Sequence, residues 1–341
     1  MSEYVGLDVS LEETSVCVLD ASGAVIWEGN VESEPAAIAQ MIGQRAPQAV
    51  KVGLETGPTS TWLWHELRQA GIPVICLDAR HAQAALSMRI NKTDRNDAAG
   101  LAQLIRMGWY REVQVKQLAA HGDGALLASR ALLVRQRCEL ENQIRGLLKN
   151  FGLRVRATTG GKFEQSVRAL IRHHDLLSQV MIPLLGVWAT LRQQTARLTY
   201  AVKVRTNAST ACRRLMTMPG IGPMTALAYS AAIDDPARFR SSSSVGAYVG
   251  LTPRRYKSGE IDRMGRISRC GDALTRSYLY EAANVMLSRS RSTNSLKSWG
   301  LKLAKRAGFK KARVALARKM AVVLHRMWVD GTDFNAHAAV A

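Results

Sequence analysis

The first 110 residues alternate in an order that few folds accept. Residues 4–9, 14–20 and 24–31 run apolar or alternate apolar with polar, separated by short turns such as Ala21-Ser22-Gly23. That is the pattern of three strands in a meander. A helical pattern from Pro35 to Arg45 leads to an apolar run at 49–55, the Gly57-Pro58 break and a helical stretch from Thr59 to Ala70. A run at 73–77 and helical stretches to about Gly108 complete the series. The order β-β-β-α-β-α-β-α predicts a mixed sheet covered by helices.

Four carboxylates sit at the places where such a chain carries chemistry. Asp8 lies in the first strand, Glu55 ends the fourth, and Asp94 and Asp97 open a helical stretch. In the ribonuclease-H-like fold, which this order matches, the first strand's centre and the fourth strand's end bring acids together. Acids at i and i+3 share a helix face. Two strand acids facing that pair can hold two divalent cations for phosphodiester chemistry, and hard oxygen donors favour Mg²⁺ or Mn²⁺ over zinc. The bland alternatives are a solvated strand residue at Asp8 and a first-turn pair favoured by the helix dipole at Asp94 and Asp97.

The chain supplies its own indication of a polyanionic partner. Of the net charge of +20, residues 1–120 hold 10 Lys/Arg against 14 Asp/Glu, so the remaining 221 residues carry the whole excess. An acidic catalytic module joined to basic modules points to nucleic acid, with an anionic membrane surface second. No run approaches the roughly 18 apolar residues of a membrane span, and the N-terminus lacks the features of a signal peptide. Five scattered cysteines without CxxC spacing read as reduced thiols of a cytoplasmic protein rather than a zinc site.

Beyond residue 115 the sequence turns helical. Apolar positions at periods of three to four run from Gly124 to Asn150, and after a polar break at Thr158-Thr159-Gly160-Gly161 a second stretch runs from Phe163 to Val204, interrupted near Pro183. These predict an antiparallel hairpin over 116–208, either a spacer or a coiled-coil dimerisation arm. Next, Pro219-Gly220-Ile221-Gly222 precedes an apolar helix; a hairpin of this kind, as in helix-hairpin-helix elements, exposes N–H groups suited to a phosphate, with Gly220 and Gly222 as the contacts. The other reading is a tight turn between helices. Residues 237–341 hold 21 Lys/Arg against 6 Asp/Glu and read as mainly helical. Within them, a Gly-punctuated loop carries Arg254, Arg255, Lys257, Ser258, Arg266 and Arg269, a composition suited to a phosphate backbone. Ser258 has cations around it but no evident base, and a serine needs activation to attack phosphorus.

Taken in order, these segments resemble the insertion-sequence transposases with a DEDD tetrad, related to Piv-type DNA invertases and including the bridge-RNA-guided recombinases. The resemblance runs through Gly6-Leu7-Asp8, Leu54-Glu55-Thr56-Gly57, Asn91-Lys92-Thr93-Asp94 to Asp97-Ala98, Pro219-Gly220-Ile221-Gly222, Gly250-Leu251-Thr252-Pro253-Arg254, Lys257-Ser258-Gly259 and Gly265-Arg266-Ile267-Ser268. It implies a RuvC-like catalytic domain over 1–115, the helical arm over 116–208, and a basic C-terminal transposase domain over 209–341. It implies that Asp8, Glu55, Asp94 and Asp97 bind magnesium and that Ser258 forms a covalent phosphoserine link to DNA. The composite site would come from different protomers of a homo-oligomer, a dimer or a tetramer on DNA. A structured noncoding guide RNA would select donor and target DNA. The enzyme would be bacterial and cytoplasmic, associated with the nucleoid when active. One departure is Arg269, where the family often has Lys, which keeps the charge but alters phosphate geometry.

Three other readings stay open at the level of sequence. A RuvC-like junction resolvase would use the tetrad and water, leaving Ser258 idle. An actin-like ATPase or sugar kinase also opens on a strand Asp and a hairpin, but needs a second phosphate turn that the basic half lacks. A catalytically silent nucleic-acid-binding protein would show salt-dependent binding alone.

Overall fold

A computed structural model describes residues 2–87, 93–156 and 161–337. The chain divides into two compact units, Met1–Leu118 and Ala119–Ala341.

In the first unit, β1 (Glu3–Val9), β2 (Glu13–Leu19) and β3 (Val25–Glu32) form the expected antiparallel meander. Asp20 closes its second turn: its carboxylate accepts from the Ser22 hydroxyl and from the N–H groups of Ser22, Gly23 and Ala24. The Ser22 hydroxyl, then these N–H groups, hold that carboxyl below its usual range. After α1 (Pro35–Arg45), β4 (Ala49–Glu55) adds parallel to β1; after α2 (Ser60–Gln69), β5 (Val74–Leu77) adds parallel to β4. The sheet order is β3-β2-β1-β4-β5. Helices α3 (Ala79–Leu86) and α4 (Asp94–Arg106) complete the unit. The motif residues Asn91 and Lys92 lie outside the described residues.

Alternation along the strands assigns the two faces. Val5, Leu7, Val16, Val18, Val52 and Leu54 pack with Ile38, Ile42, Leu63 and Leu67 of α1 and α2. Their neighbours in sequence point the other way. Cys17 and Leu19 pack on Ala98 and Ala102 of α4, and Leu77 packs with Leu101, Leu104 and Ile105. Both faces of the central strands are therefore buried, which explains their near-continuous apolar runs.

The second unit opens with α5 (Leu118–Lys149), α6 (Lys162–Ile171) and α7 (Asp175–Ala208). The expected second arm is thus two helices. Its interruption falls between Ile171 and Asp175, while Pro183 sits inside α7. Pro183 costs a backbone bond, which the burial of Met181, Leu185 and Trp188 against Phe163, Val167, Ile144 and Leu148 offsets. The polar break, apart from Gly161, lies outside the described residues.

Helices α8 (Thr210–Leu215), α9 (Pro223–Ile233) and α10 (Val245–Tyr248) lead to a two-stranded ribbon, β6 (Pro253–Ser258) and β7 (Ile261–Ile267). The stretch read as a loop is therefore a β-hairpin. Helices α11 (Ala273–Ser288), α12 (Ser295–Ala307) and α13 (Phe309–Val329) follow. α9 is apolar on every side because it is buried on every side. The Tyr229 hydroxyl donates to the Ala321 carbonyl and the Thr275 hydroxyl to that of Ala228, tying α9 to α13 and α11.

His325 of α13 is a titratable group inside this core, only 2 % exposed. Its Nδ1 lies 2.9 Å from the Ser242 hydroxyl and its Nε2 3.0 Å from the Pro236 carbonyl oxygen. Burial pushes its pKa down, against a smaller upward pull from that carbonyl. The unfolded chain then binds a proton that the folded chain resists. The stability of this unit should fall as pH drops from about 6.5 toward the lower folded value. Denaturant melts across that interval should show the slope, and His325→Gln should flatten it; an equal slope in the variant would exclude His325 as the source.

Candidate active site

Asp8 and Glu55 end up side by side for a reason that the strand register supplies. Leu7 pairs with Leu54 in the parallel β1–β4 ladder, so the next residues, Asp8 and Glu55, occupy corresponding positions at the ends of neighbouring strands. They lie on the face of Gly6 and Gly53, which is the face covered by α4. Gly6 makes that packing possible: a Cβ there would lie 2.1 Å from the Ala98 carbonyl oxygen and 2.5 Å from the Ala102 nitrogen. The helix therefore crosses β1 in backbone contact, two residues before Asp8.

Asp94 and Asp97 occupy the first turn of α4, behind Thr93, whose hydroxyl caps the helix by accepting from the Asn96 N–H. Asp94 borders a shallow recess with Ser10–Glu13, Ser15 and Asn30, and Ser15 is the cross-strand partner of Asp8. Asp8, Glu55 and Asp94 thus lie on the α4 side of one sheet, and Asp97 stands three residues beyond Asp94 in the same helical turn. Among the described residues, no three acidic, His or Cys side chains already converge closely enough to hold an ion. The donor set is nevertheless all carboxylate, which fits a hard divalent cation and not a soft one.

In the second unit, Ser258 is the last residue of β6, at the tip of the ribbon. It pairs with Ile261 across a two-residue turn in which Gly259 supplies a φ of 56°, the left-handed value a tight hairpin needs at its first central position. Every ribbon residue from Pro253 to Arg266 is exposed. Arg255 is held in a two-pronged pair by Asp262, at 2.8 and 2.5 Å; that bond raises the arginine's pKa and lowers the aspartate's. Arg254 donates to the Ser268 carbonyl at 3.3 Å.

The ribbon's base is locked by backbone against backbone. Ser268 N–H donates to Thr252 O and Arg269 N–H to Gly250 O. A Cβ on Gly250 would fall 2.1 Å from the Cys270 oxygen, and one on Gly271 2.1 Å from the Tyr248 oxygen. Arg269 itself takes a φ of 56°, unusual for a residue with a side chain.

Arg266 and Arg269 line a cleft of about 1270 Å³. Its other cations among the described residues are Lys310, Lys311, Arg318, Lys319 and Arg326, none of the described residues lining it is an acid, and Trp299 and Val314 contribute to an apolar wall. Lys319 lies 4.7 Å above the Trp299 ring, and burial, then the charge of Arg318, lowers its pKa. These α12 and α13 residues were not singled out from sequence. The signal was the dense Lys/Arg spacing from Lys302 to Lys319.

Gly220 takes a φ of 90° and packs against α11, where a Cβ would sit 2.6 Å from the Ala282 oxygen. Gly222 precedes α9, with Pro223 at its first turn. Packing therefore accounts for Gly220 directly.

A DEDD-type IS110 transposase profile matches residues 5–152, and one described as "Transposase IS116/IS110/IS902 family" matches 212–298. The transposase for insertion sequence element IS1111A of Coxiella burnetii is 30 % identical over 94 % of this chain and 88 % of its own length. This chain belongs to the IS110 family of insertion-sequence transposases. A probable family 20 transposase of Pseudomonas aeruginosa is 27 % identical, covering 94 % of this chain and 95 % of its own. Among solved structures, Thermus thermophilus RuvC covers 33 % of this chain and 99 % of its own, at 14 % identity and a TM-score of 0.26. An IS110 transposase acts on DNA, and membership sets the ATPase and sugar-kinase readings aside. Among the described residues, no helix is long and apolar enough to cross a membrane.

Proposed function

We propose that this IS110 transposase cuts and rejoins DNA through a phosphoserine formed on Ser258, with Asp8, Glu55, Asp94 and Asp97 holding Mg²⁺ or Mn²⁺. The observation that carries the reading is Ser258 itself. It stands exposed at the tip of a basic ribbon, its hydroxyl making no hydrogen bond among the described residues and having no packing task. A reacting hydroxyl needs that position; a structural one does not.

In the reaction, Ser258 Oγ attacks the scissile phosphorus. The Oγ–P bond forms, the P–O3′ bond breaks, and the serine's proton is balanced by the proton taken up by the released 3′-oxygen. A 3′-hydroxyl from the exchanged strand then attacks the phosphoserine and restores Ser258. One phosphoester replaces another, so no external energy source is needed. The bound cation would draw charge from the phosphate oxygens. Arg254, Arg255, Lys257, Arg266 and Arg269 would neutralise the nucleic-acid backbone, and the backbone of the turn at Gly220 and Gly222 would contact it.

Site selection we assign to a structured noncoding guide RNA of the element. The concentration of positive charge outside the first 120 residues supports a second polyanion beside DNA. We further propose a homo-oligomer, a dimer that becomes a tetramer on DNA, in which acids and serine acting on one phosphodiester come from different protomers. Leu176, Val180 and Val187 are exposed on α7 and suit a coiled-coil arm. On this reading the chain works as three parts, 1–115, 116–208 and 209–341.

The competing reading is water-driven hydrolysis by the tetrad alone, which the common side of Asp8, Glu55 and Asp94 on the sheet favours. Mass analysis of the protein after incubation with Mg²⁺, its RNA and DNA carrying the element's ends separates the two. A nucleotide adduct localised to Ser258 is expected; cut strands with free ends and unmodified protein would establish hydrolysis. Metal binding is testable without turnover. Saturating Mn²⁺, at 100 times its Kd, should stabilise the folded protein by about 2.7 kcal/mol. Asp8→Asn and Glu55→Gln should remove most of that increment, and an undiminished increment would move the site elsewhere.

A further inference from the structure

The ribbon's register separates its cations by face. Tyr256 pairs with Arg263 and Ser258 with Ile261, while Arg255 pairs with Met264 and Lys257 with Asp262. Directly paired residues project to one side, and successive residues alternate. Ser258 therefore shares its face with Tyr256, Ile261 and Arg263. Arg255, Lys257 and Asp262 project from the opposite face with Met264, which lines the basic cleft together with Pro253 and Ile267. Of the cations nearest Ser258 in sequence, Arg255 and Lys257 thus point away from its hydroxyl, and Arg255 is already engaged by Asp262.

Arg263 differs on both counts. It sits diagonally across the ladder from Ser258, a separation within reach of a long side chain. It is exposed, and among the described residues no carboxylate pairs with it. Its cross-strand partner Tyr256 is 65 % exposed, a large aromatic surface on a ribbon with no core beneath it. An unpaired guanidinium, an exposed phenol ring and an exposed hydroxyl on one side of a two-stranded ribbon match, in order, a phosphate, an adjacent base or sugar, and the attacked phosphorus.

We propose that Arg263 grips the non-bridging oxygens of the phosphate that Ser258 attacks, and that Tyr256 stacks on the neighbouring nucleoside. This rests on the serine reading above and adds the residue that stabilises the pentavalent phosphorus. Arg263 gives and takes no proton; bonds form and break as already described.

Single-turnover adduct formation on element-end DNA, with the full-length protein and its RNA at saturating DNA, tests the proposal. Arg263→Ala should slow the adduct by roughly 10²–10³-fold, the scale for losing one transition-state donor, and Arg263→Lys should restore part of it. The loss should shrink to a few-fold on DNA carrying an uncharged methylphosphonate at the scissile position, where there is less charge to neutralise. Tyr256→Phe should keep the rate, while Tyr256→Ala should weaken DNA binding by about tenfold. Arg263→Ala reacting at the wild-type rate, or a loss equally large on the methylphosphonate, would overturn the assignment. An adduct that survives Ser258→Ala would instead overturn the serine reading, whatever Arg263 does.

Discussion

Ser258→Ala is expected to leave the protein folded and bound to DNA but unable to form the covalent adduct. The folded state should barely notice the change. Ser258 is exposed on a ribbon, its hydroxyl makes no hydrogen bond among the described residues, and it sits before Gly259, which sets the turn. Surface substitutions of this kind stay within about 0.5 kcal/mol. Strand exchange should fall by at least ~10⁴-fold, because removing the nucleophile of a covalent mechanism disables the reacting unit as a whole. Adduct mass and strand exchange should disappear together, while binding at fixed salt should hold. A variant that still cuts DNA, leaving free ends, would show that water is the nucleophile and that the acids act alone. A variant that still forms an adduct would direct attention to Tyr256, the neighbouring hydroxyl on that face.

The first unit was legible because its acids stand inside strong patterns. Val5, Leu7, Val52 and Leu54 are buried on one face and mark their strands by apolar density, so Asp8 and Glu55 stand out at the strand ends. Their shared face needed the register, which no local pattern contains. In sequence the ribbon reads as a loop because both of its faces meet solvent. Its alternation is basic with mixed polar and apolar, and period-two hydrophobicity is absent where no core imposes it. Nor does sequence assign the ribbon's faces: adjacency groups Arg255 and Lys257 with Ser258, whereas the ladder puts Arg263 on its side. Pro183 suggested a break in α7 because proline is a strong local signal, yet burial of Met181 and Leu185 overrode it. The basic cleft draws on segments as far apart as Leu251, Arg266, Trp299 and Phe334. Only tertiary packing brings such residues together.

Gly6→Ala should be the most damaging single methyl group in the first unit. The added carbon would stand 2.1 Å from the Ala98 oxygen and 2.5 Å from the Ala102 nitrogen, and both belong to the backbone of α4 rather than to a side chain that can turn aside. Ala98 and Ala102 are fully buried, so the helix can relieve the overlap only by lifting from the sheet. Overpacking of this kind costs about 1–3 kcal/mol or more, which should lower the unit's melting midpoint by on the order of 10 °C. The functional cost should exceed the stability cost. The first turn of α4 carries Asp94 and Asp97, and Asp8 lies two residues beyond Gly6 on the same face. A displacement of about 1 Å between acids that act on one phosphate is enough to lose roughly 10²-fold in rate. DNA cutting should therefore drop well below what the residual folded fraction explains, measured at a temperature where the variant remains folded. Gly43→Ala provides the contrast: Gly43 lies in α1 with open space around it, and alanine there should stabilise by about 0.5–1 kcal/mol. If Gly6→Ala cut DNA in proportion to its folded fraction, the approach of α4 to β1 would matter for folding alone, and the placement of the helical acids beside Asp8 would lose its mechanistic weight.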